Sequence, residues 1–431
     1  MSQLAAGSGG RTFFGLSRAL VWGYVAIAFF MTGDGIEQAF LSNFMVSDLG
    51  FSEQQAGTLF TVYGLVVAIA AFASGILADF FGPRRIMAIA TVGWIVFHAG
   101  FLVFGVQQHD YTMMLLMYAI RAAAYPLFVY GFVVWISYSA PQDKLSSAMG
   151  WFWCMYSVGL GLFGSYLPSF TIPVIGQVTT MWLAIGFIVI GGLLAFFMVR
   201  GKAPRSDFPK TAAGFGAALK EGVTLPFRNR QFLLGIAMRI INQVSLYAFI
   251  VMLPIVFTRD IGFSESTWLQ LWGLVYLVTI FTNLMWGVLG DKFGWIRTVR
   301  WFGCIGMAVA TLLMYFLPLA VGPNPWITAF AVLLFGVGIA AFVPLSAVFP
   351  AWAPHSRGAA VSLLNLSAGL SSFVGPLLVT IFWPILGTAG MVVLLAAIYL
   401  LGFVLSYFMR VDQNALADYE KSQTVKDPVT A

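Results

Sequence analysis

The stretch Asp48-Leu49-Gly50-Phe51-Ser52-Glu53 returns as Asp260-Ile261-Gly262-Phe263-Ser264-Glu265. Gly75, Asp79 and Gly82 return as Gly287, Asp291 and Gly294. Both recurrences keep one offset of 212 residues in a chain of 431. Two patterns that share an offset mark two copies of one unit joined end to end. Each copy lies in strongly apolar surroundings. Internal duplication in an apolar chain is the mark of a two-halved membrane transporter.

The composition agrees. Sixty per cent of residues are apolar and 9% are charged, with a mean hydropathy of +0.90. Soluble domains carry about 25% charged residues, so this chain has too little polar surface to coat a soluble core. Apolar runs long enough to span a bilayer predict helices near 19–45, 53–79, 85–106, 111–138, 146–168, 179–199, 231–257, 266–289, 298–318, 326–349, 358–384 and 388–409. The expected fold is an all-α membrane protein of twelve transmembrane helices in two six-helix bundles. The bundles take residues 19–199 and 231–409, with a segment 1–18 before them, a linker 200–230 between them and a tail 410–431.

Positive charge sets the expected orientation. Arg11 and Arg18 precede the first helix, and Arg84 and Arg85 follow the second. The linker holds Arg200, Lys202, Arg205, Lys210, Lys220, Arg228 and Arg230. With twelve helices all of these fall on one side, while Arg259 is the only basic residue in the opposite loops. The positive-inside rule then puts both termini in the cytoplasm of a multi-pass bacterial inner-membrane protein. The net charge of +6 follows from this bias, so the expected surroundings are a lipid bilayer and no nucleic acid. Cys154 and Cys304 are separated, and His98, His109 and His355 share no ligand spacing. No metal site, phosphate-binding loop or catalytic triad stands out, so neither an enzyme nor an ATP-driven pump is expected.

Gly75-Ile76-Leu77-Ala78-Asp79-Phe80-Phe81-Gly82-Pro83-Arg84-Arg85 and its echo Gly287 to Arg297 resemble the loop signature of the major facilitator superfamily. The resemblance implies that Asp79, Arg84, Arg85, Asp291 and Arg297 latch the cytoplasmic side shut. A carboxylate there can meet a facing helix N-terminus. Phe80 stands where that family has a basic residue. Ser52 and Ser264 read as N-caps, with Glu53 and Glu265 in the first turn; an outer gate is the alternative reading.

Four ionisable side chains fall well inside helices: Asp34, Glu37, Arg121 and Arg239. Each costs about 2.5–3.5 kcal/mol to insert, so each is a functional candidate. Asp34, Glu37 and Gln38 share a face of the first helix. Burial disfavours a charged carboxylate and a nearby arginine favours it. Asp34 or Glu37 is therefore the expected proton site, with Arg121 tuning it; a static ion pair is the plainer alternative. Arg239, Asn242 and Gln243 form a polar face on the seventh helix and suit a hydroxyl-rich ligand. Gln38, Tyr125, Trp153, Trp272 and Asn365 complete the candidate binding set. Asn283 and Asn365 also suit interhelical hydrogen bonding, and Ser157, Gly161 and Ser165 close helix packing.

Longer stretches go beyond the superfamily. Met31-Thr-Gly-Asp34-Gly-Ile-Glu37-Gln-Ala-Phe-Leu-Ser42, Ala123-Ala-Tyr125-Pro-Leu-Phe128, Gly150-Trp-Phe-Trp153, Arg239-Ile-Ile-Asn242 and Ala341-Phe-Val-Pro344 together resemble the bacterial polyol permease family of ribitol and D-arabinitol transporters. That resemblance implies uptake of a small neutral pentitol or hexitol with a proton, no cofactor, and a monomer working by alternating access. Ile36, Gln38 and Ala122 depart from the ribitol branch and leave the polyol open. An organic-acid transporter, with Arg121 and Arg239 clamping an anion, is the rival reading; an uncoupled polyol facilitator is a third.

Overall fold

A computed structural model describes residues 20–139, 145–199, 229–353 and 357–412, with 12, 13, 16, 17, 224 and 226 besides. Thr12–Phe13 pairs antiparallel with Leu16–Ser17. Every other regular element among the described residues is helical. Among the described residues, nine helical stretches are long and apolar enough to cross a bilayer. Two of them, Ala148–Met198 and Leu363–Leu405, double back at Gly176 (φ 78°) and Gly387 (φ 65°) and cross twice each. With a first crossing broken at 36–40, the described residues form the twelve spans that the sequence predicts.

These spans are α1 (Val21–Gly35 and Leu41–Ser47), α2 (Glu53–Phe81), α3 (Pro83–Gly100 with a π segment Phe101–Val106), α4 (Tyr111–Arg121 and Ala124–Ser139), α5 (145–175) and α6 (177–198). The second half holds α7 (Arg230–Ile255 with a π segment Val256–Ile261), α8 (Glu265–Phe293), α9 (Trp295–Val321), α10 (Pro325–Ala340 and Leu345–Trp352), α11 (357–386) and α12 (388–405). α5 outruns its predicted end at 168. It continues through Pro168 and Pro173 to Gly176. In an apolar medium a helix tolerates prolines because its other backbone groups have no water to turn to.

Local sequence explains the ends and breaks. Ser52 caps α2 in a full capping box with Gln55, and Ser264 accepts from Thr267 N at the start of α8. Gly82 (φ 89°) and Gly294 (φ 98°) close α2 and α8 in a region that side-chain-bearing residues avoid. α4 breaks at 122–123, where Pro126 has no N–H to give the Ala122 carbonyl. Gly33 and Gly35 lie where α6 and α5 approach closely, and a Cβ at either would strike them.

The two bundles meet where α2 packs on α11 and α5 on α8. A Cβ added at Gly64 would lie 2.0 Å from the Ser372 carbonyl oxygen, and one at Gly161 would strike the Tyr276 ring. The seam is closed at the end opposite the basic loops. Thr258 Oγ1 donates to Asn43 Oδ1 at 2.9 Å, Ser266 Oγ to Ser169 O at 2.7 Å, and Trp268 Nε1 to Ala39 O at 2.8 Å. Arg259 bridges to Glu53 at 2.6 Å, and Gln177 Nε2 reaches Glu265 Oε2 at 3.2 Å. Among the described residues, no hydrogen bond joins the bundles at the basic end.

Replacing Asn43 and Thr258 with cysteine, in a chain lacking Cys154 and Cys304, tests this closure. A short cleavable cross-linker with two thiol-reactive methanethiosulfonate ends should stop transport, and its reductive cleavage should restore it. Unchanged transport after complete cross-linking would mean that this contact does not open during the cycle.

Candidate functional site

Asp34, Glu37 and Arg121 lie together in the first bundle and are 1%, 0% and 1% exposed. The ion pair joins Arg121 Nη2 to Glu37 Oε1. Asp34 is held otherwise. Trp94 Nε1 donates to its Oδ1 at 2.7 Å. Tyr63 OH and Gln38 Nε2 each approach its Oδ2 at 3.4 Å. Of the two acids near Arg121, Glu37 makes the direct contact and Asp34 does not. The cause is the break at 36–40. It turns Glu37 toward α4, while Asp34, still helical, meets Tyr63 of α2 and Trp94 of α3.

Arg121 is held on its other side too. Its Nη1 contacts His98 Nδ1, and His98 Nε2 lies 3.0 Å from the Met181 carbonyl of α6. A carbonyl only accepts, so Nε2 carries the hydrogen and Nδ1 accepts from the guanidinium. The guanidinium also lies over Trp94 at 4.8 Å and Tyr118 at 4.4 Å. Glu37 Oε1 and Arg121 Nη2 touch off the line of a hydrogen bond; Glu37 Oε2 and Arg121 Nε have no hydrogen-bond partner among the described residues. Two buried carboxylates thus lie within electrostatic reach of one buried guanidinium, and the charges of the three side chains sum to minus one when all are ionised.

A second group lies at the bundle seam. Arg239 of α7 is within electrostatic reach of Tyr130, Tyr156 and Tyr247. Tyr125 is in reach of the same three phenols and of Tyr63. All of these but Tyr63 are half-buried, as are Gln243 and Asn365. Tyr63 therefore links the seam to Asp34. Asn242 is more enclosed, at 6% exposure. Its backbone carbonyl accepts from Tyr399 of α12. Trp272 is 2% exposed and stacks on Trp268 in the second bundle. Trp153 is 42% exposed, edge-on to Tyr156. Gln38 is tied to Asp34. The binding set named from sequence therefore divides: Tyr125, Arg239, Gln243 and Asn365 remain partly accessible, and Trp272 packs inward.

The basic-end motif makes local contacts here. Asp291 accepts from Trp295 Nε1 at 2.8 Å, four residues along its own chain. Arg84 Nη2 donates to Val199 O at 2.7 Å at the end of α6. Arg85 and Arg297 are exposed, and the Asp79 side chain lies outside the described residues. The predicted carboxylate-to-helix contact at Asp291 is thus replaced by an indole. The reason is positional, since this is the end at which no described hydrogen bond joins the bundles. Glu53 and Glu265 stand in the first turns of α2 and α8 and also bridge between bundles.

Residues 23–349 and 236–429 match the Major Facilitator Superfamily. The chain belongs to that superfamily. It is 45% identical over 420 residues to the D-arabinitol transporter of Klebsiella pneumoniae, covering 97% of this chain and 98% of the relative. It is 46% identical to the ribitol transporter of the same organism, covering 94% of each. It is also 37% identical to an alpha-ketoglutarate permease of Bacillus subtilis (strain 168), covering 96% of this chain and 94% of that one. Among solved structures, a D-xylose-proton symporter superposes with a TM-score of 0.72 at 16% identity, covering 93% of this chain and 99% of that one. This last likeness is one of fold.

In this superfamily member the ionisable residues are legible in the sequence, and the side chains that hold them are not. His98 shares no ligand spacing with the other histidines, so the sequence does not single it out. Trp94 and His98 lie one turn apart on α3, and that spacing was the available signal. Tyr63, Tyr130 and Tyr247 were hidden among abundant aromatics. The geometry predicts an order of stability. Glu37→Gln leaves a buried guanidinium without its anion and should cost about 3–5 kcal/mol. Asp34→Asn keeps a group that neutral donors can satisfy and should cost less. Thermal melts of the purified variants check this, and equal losses would contradict it.

Proposed function

We propose that this chain imports a small neutral sugar alcohol together with one proton, by alternating access across a bacterial inner membrane. The observation that carries the proposal is the buried count of two carboxylates to one arginine. An unbalanced charge in a dry site is costly, and one proton balances it. Asp34 is assigned the proton, because Glu37 takes the ion pair with Arg121 and Asp34 is buried without a direct ion pair of its own. Glu37 and Arg121 form the pair beside it. Tyr125, Arg239, Gln243 and Asn365 are assigned to the substrate, with Asn242 and Gln38 behind them and Trp153 at the edge. Tyr130, Tyr156 and Tyr247 supply phenol donors and acceptors for hydroxyl groups. Identities of 45% and 46% to transporters named for D-arabinitol and ribitol support a pentitol.

In this reading the basic loops and both termini face the cytoplasm, and the closed end faces outward. Asp79, Arg84, Arg85, Asp291 and Arg297 would engage when the cytoplasmic end closes. A second reading, an organic-acid transporter, draws on the 37% identity to an alpha-ketoglutarate permease. It needs cations free to clamp an anion. Arg121 is fully buried and committed to Glu37 and His98, which favours the neutral substrate.

In vesicles, wild type should alkalinise the medium on polyol addition, one proton per polyol. Asp34→Asn should abolish this and keep polyol exchange. Undiminished alkalinisation by that variant would remove Asp34 as the coupling site. A thermal-shift screen should favour pentitols over hexitols and dicarboxylates; selective stabilisation by dicarboxylates would favour the second reading.

A further inference from the structure

Arg121 has both acids in electrostatic reach and touches only one of them. A guanidinium free to swing would neutralise either carboxylate, and neither would then be reserved for a proton. We propose that His98 is a positioning residue of the proton site, holding Arg121 on Glu37 and away from Asp34. The proposal rests on the symport reading above and deepens it.

The arrangement is specific at the level of atoms. His98 is 0% exposed. Its Nε2–H is anchored on the Met181 carbonyl, which fixes Nδ1 as the acceptor for Arg121 Nη1. The anchor is backbone of α6, so it does not follow a side-chain rotation. Trp94 stacks on the imidazole with ring centroids 4.3 Å apart. The same Trp94 lies beneath the guanidinium and commits its Nε1–H to Asp34. Two residues one turn apart on α3 thus hold the two ends of the site separately. Trp94 orients the acid and His98 orients the base.

The imidazole must stay neutral to do this, because a proton on Nδ1 would face the guanidinium. The titratable group that faces it is Arg121 from α4, and α6 contributes the Met181 carbonyl. Around Arg121 stand Asp34 and Glu37 from α1, Tyr63 from α2 and Tyr118 from α4. A coupling proton therefore goes to a carboxylate, and His98 works by geometry.

The plainer account is a histidine that merely fills a core. Substitutions separate the two, because they rank differently. His98→Asn can place an amide oxygen near the Nδ1 position and still accept from Arg121. His98→Gln is closer in volume but extends toward Met181. A positioning role ranks Asn above Gln and Ala, and a packing role ranks Gln first. The readouts are polyol-driven alkalinisation and the pH profile of polyol accumulation, each normalised to polyol exchange by the same vesicles. We expect His98→Ala and His98→Gln to lose about tenfold or more in accumulation, as misplacing a positioned group does. Their pH profile should flatten, and His98→Asn should stay near wild type. Gln performing as well as Asn, or all three behaving as wild type, would overturn the proposal. If wild type itself shows no alkalinisation, the symport reading fails and takes this one with it. Wild-type coupling with an unaffected Ala variant removes only the role of His98.

Discussion

Glu37 and Arg121 are buried against one another in the middle of an apolar bundle, and much of the surrounding structure follows from that contact. Breaking such a pair by removing one partner costs about 3–5 kcal/mol, so both must be delivered to one point. The chain does this by interrupting two helices. α1 breaks at 36–40, which carries Glu37 out of line with Asp34. α4 breaks just past Arg121. The aromatic walls and the His98 acceptor then occupy the remaining faces of the guanidinium. Asp34 is left with neutral donors, in a position where its charge has no direct cation.

The two ends of the molecule are built differently. At the end away from the basic loops, backbone carbonyls, hydroxyls, an indole and one ion pair join the bundles. Arg259 and Glu53 are 50% and 35% exposed there, so their bridge contributes little by itself. The closure is a sum of modest contacts. Such a sum can be released without paying for any single strong bond. At the basic end, Arg84 and Asp291 satisfy themselves within their own bundle. Neither is left with an unmet demand that would hold the bundles together.

The fold was legible because its signals are coarse and repeated. The 212-residue offset, the apolar runs and the paired glycine turns each reported the same scaffold. The ionisable residues were legible because charge inside a bilayer helix is rare. Their partners were not. Asp34 and Glu37 are three residues apart, and in a continuous helix they would share a face. The turn at 36–40 parts them, and nothing in Ile36 or Gln38 announces it. His98 and Trp94 reach the site from α3, and sequence distance carries no record of that. The phenols near Arg239 were obscured by number alone, in a chain with 15 tyrosines and 41 phenylalanines.

The count of two acids to one base has an electrical side. On the proposed symport reading, a bound proton makes this buried group neutral, and the group then adds no charge of its own to the reorientation of the loaded carrier. Unloaded, the group is negative. A potential of 100 mV acts on one charge with about 2.3 kcal/mol when the whole field is crossed. A site that rocks about the midplane feels a fraction of that. A negative interior pushes the unloaded group outward. On that reading the voltage acts on the difference in charge between the empty and the loaded carrier, and the proton gradient on its loading.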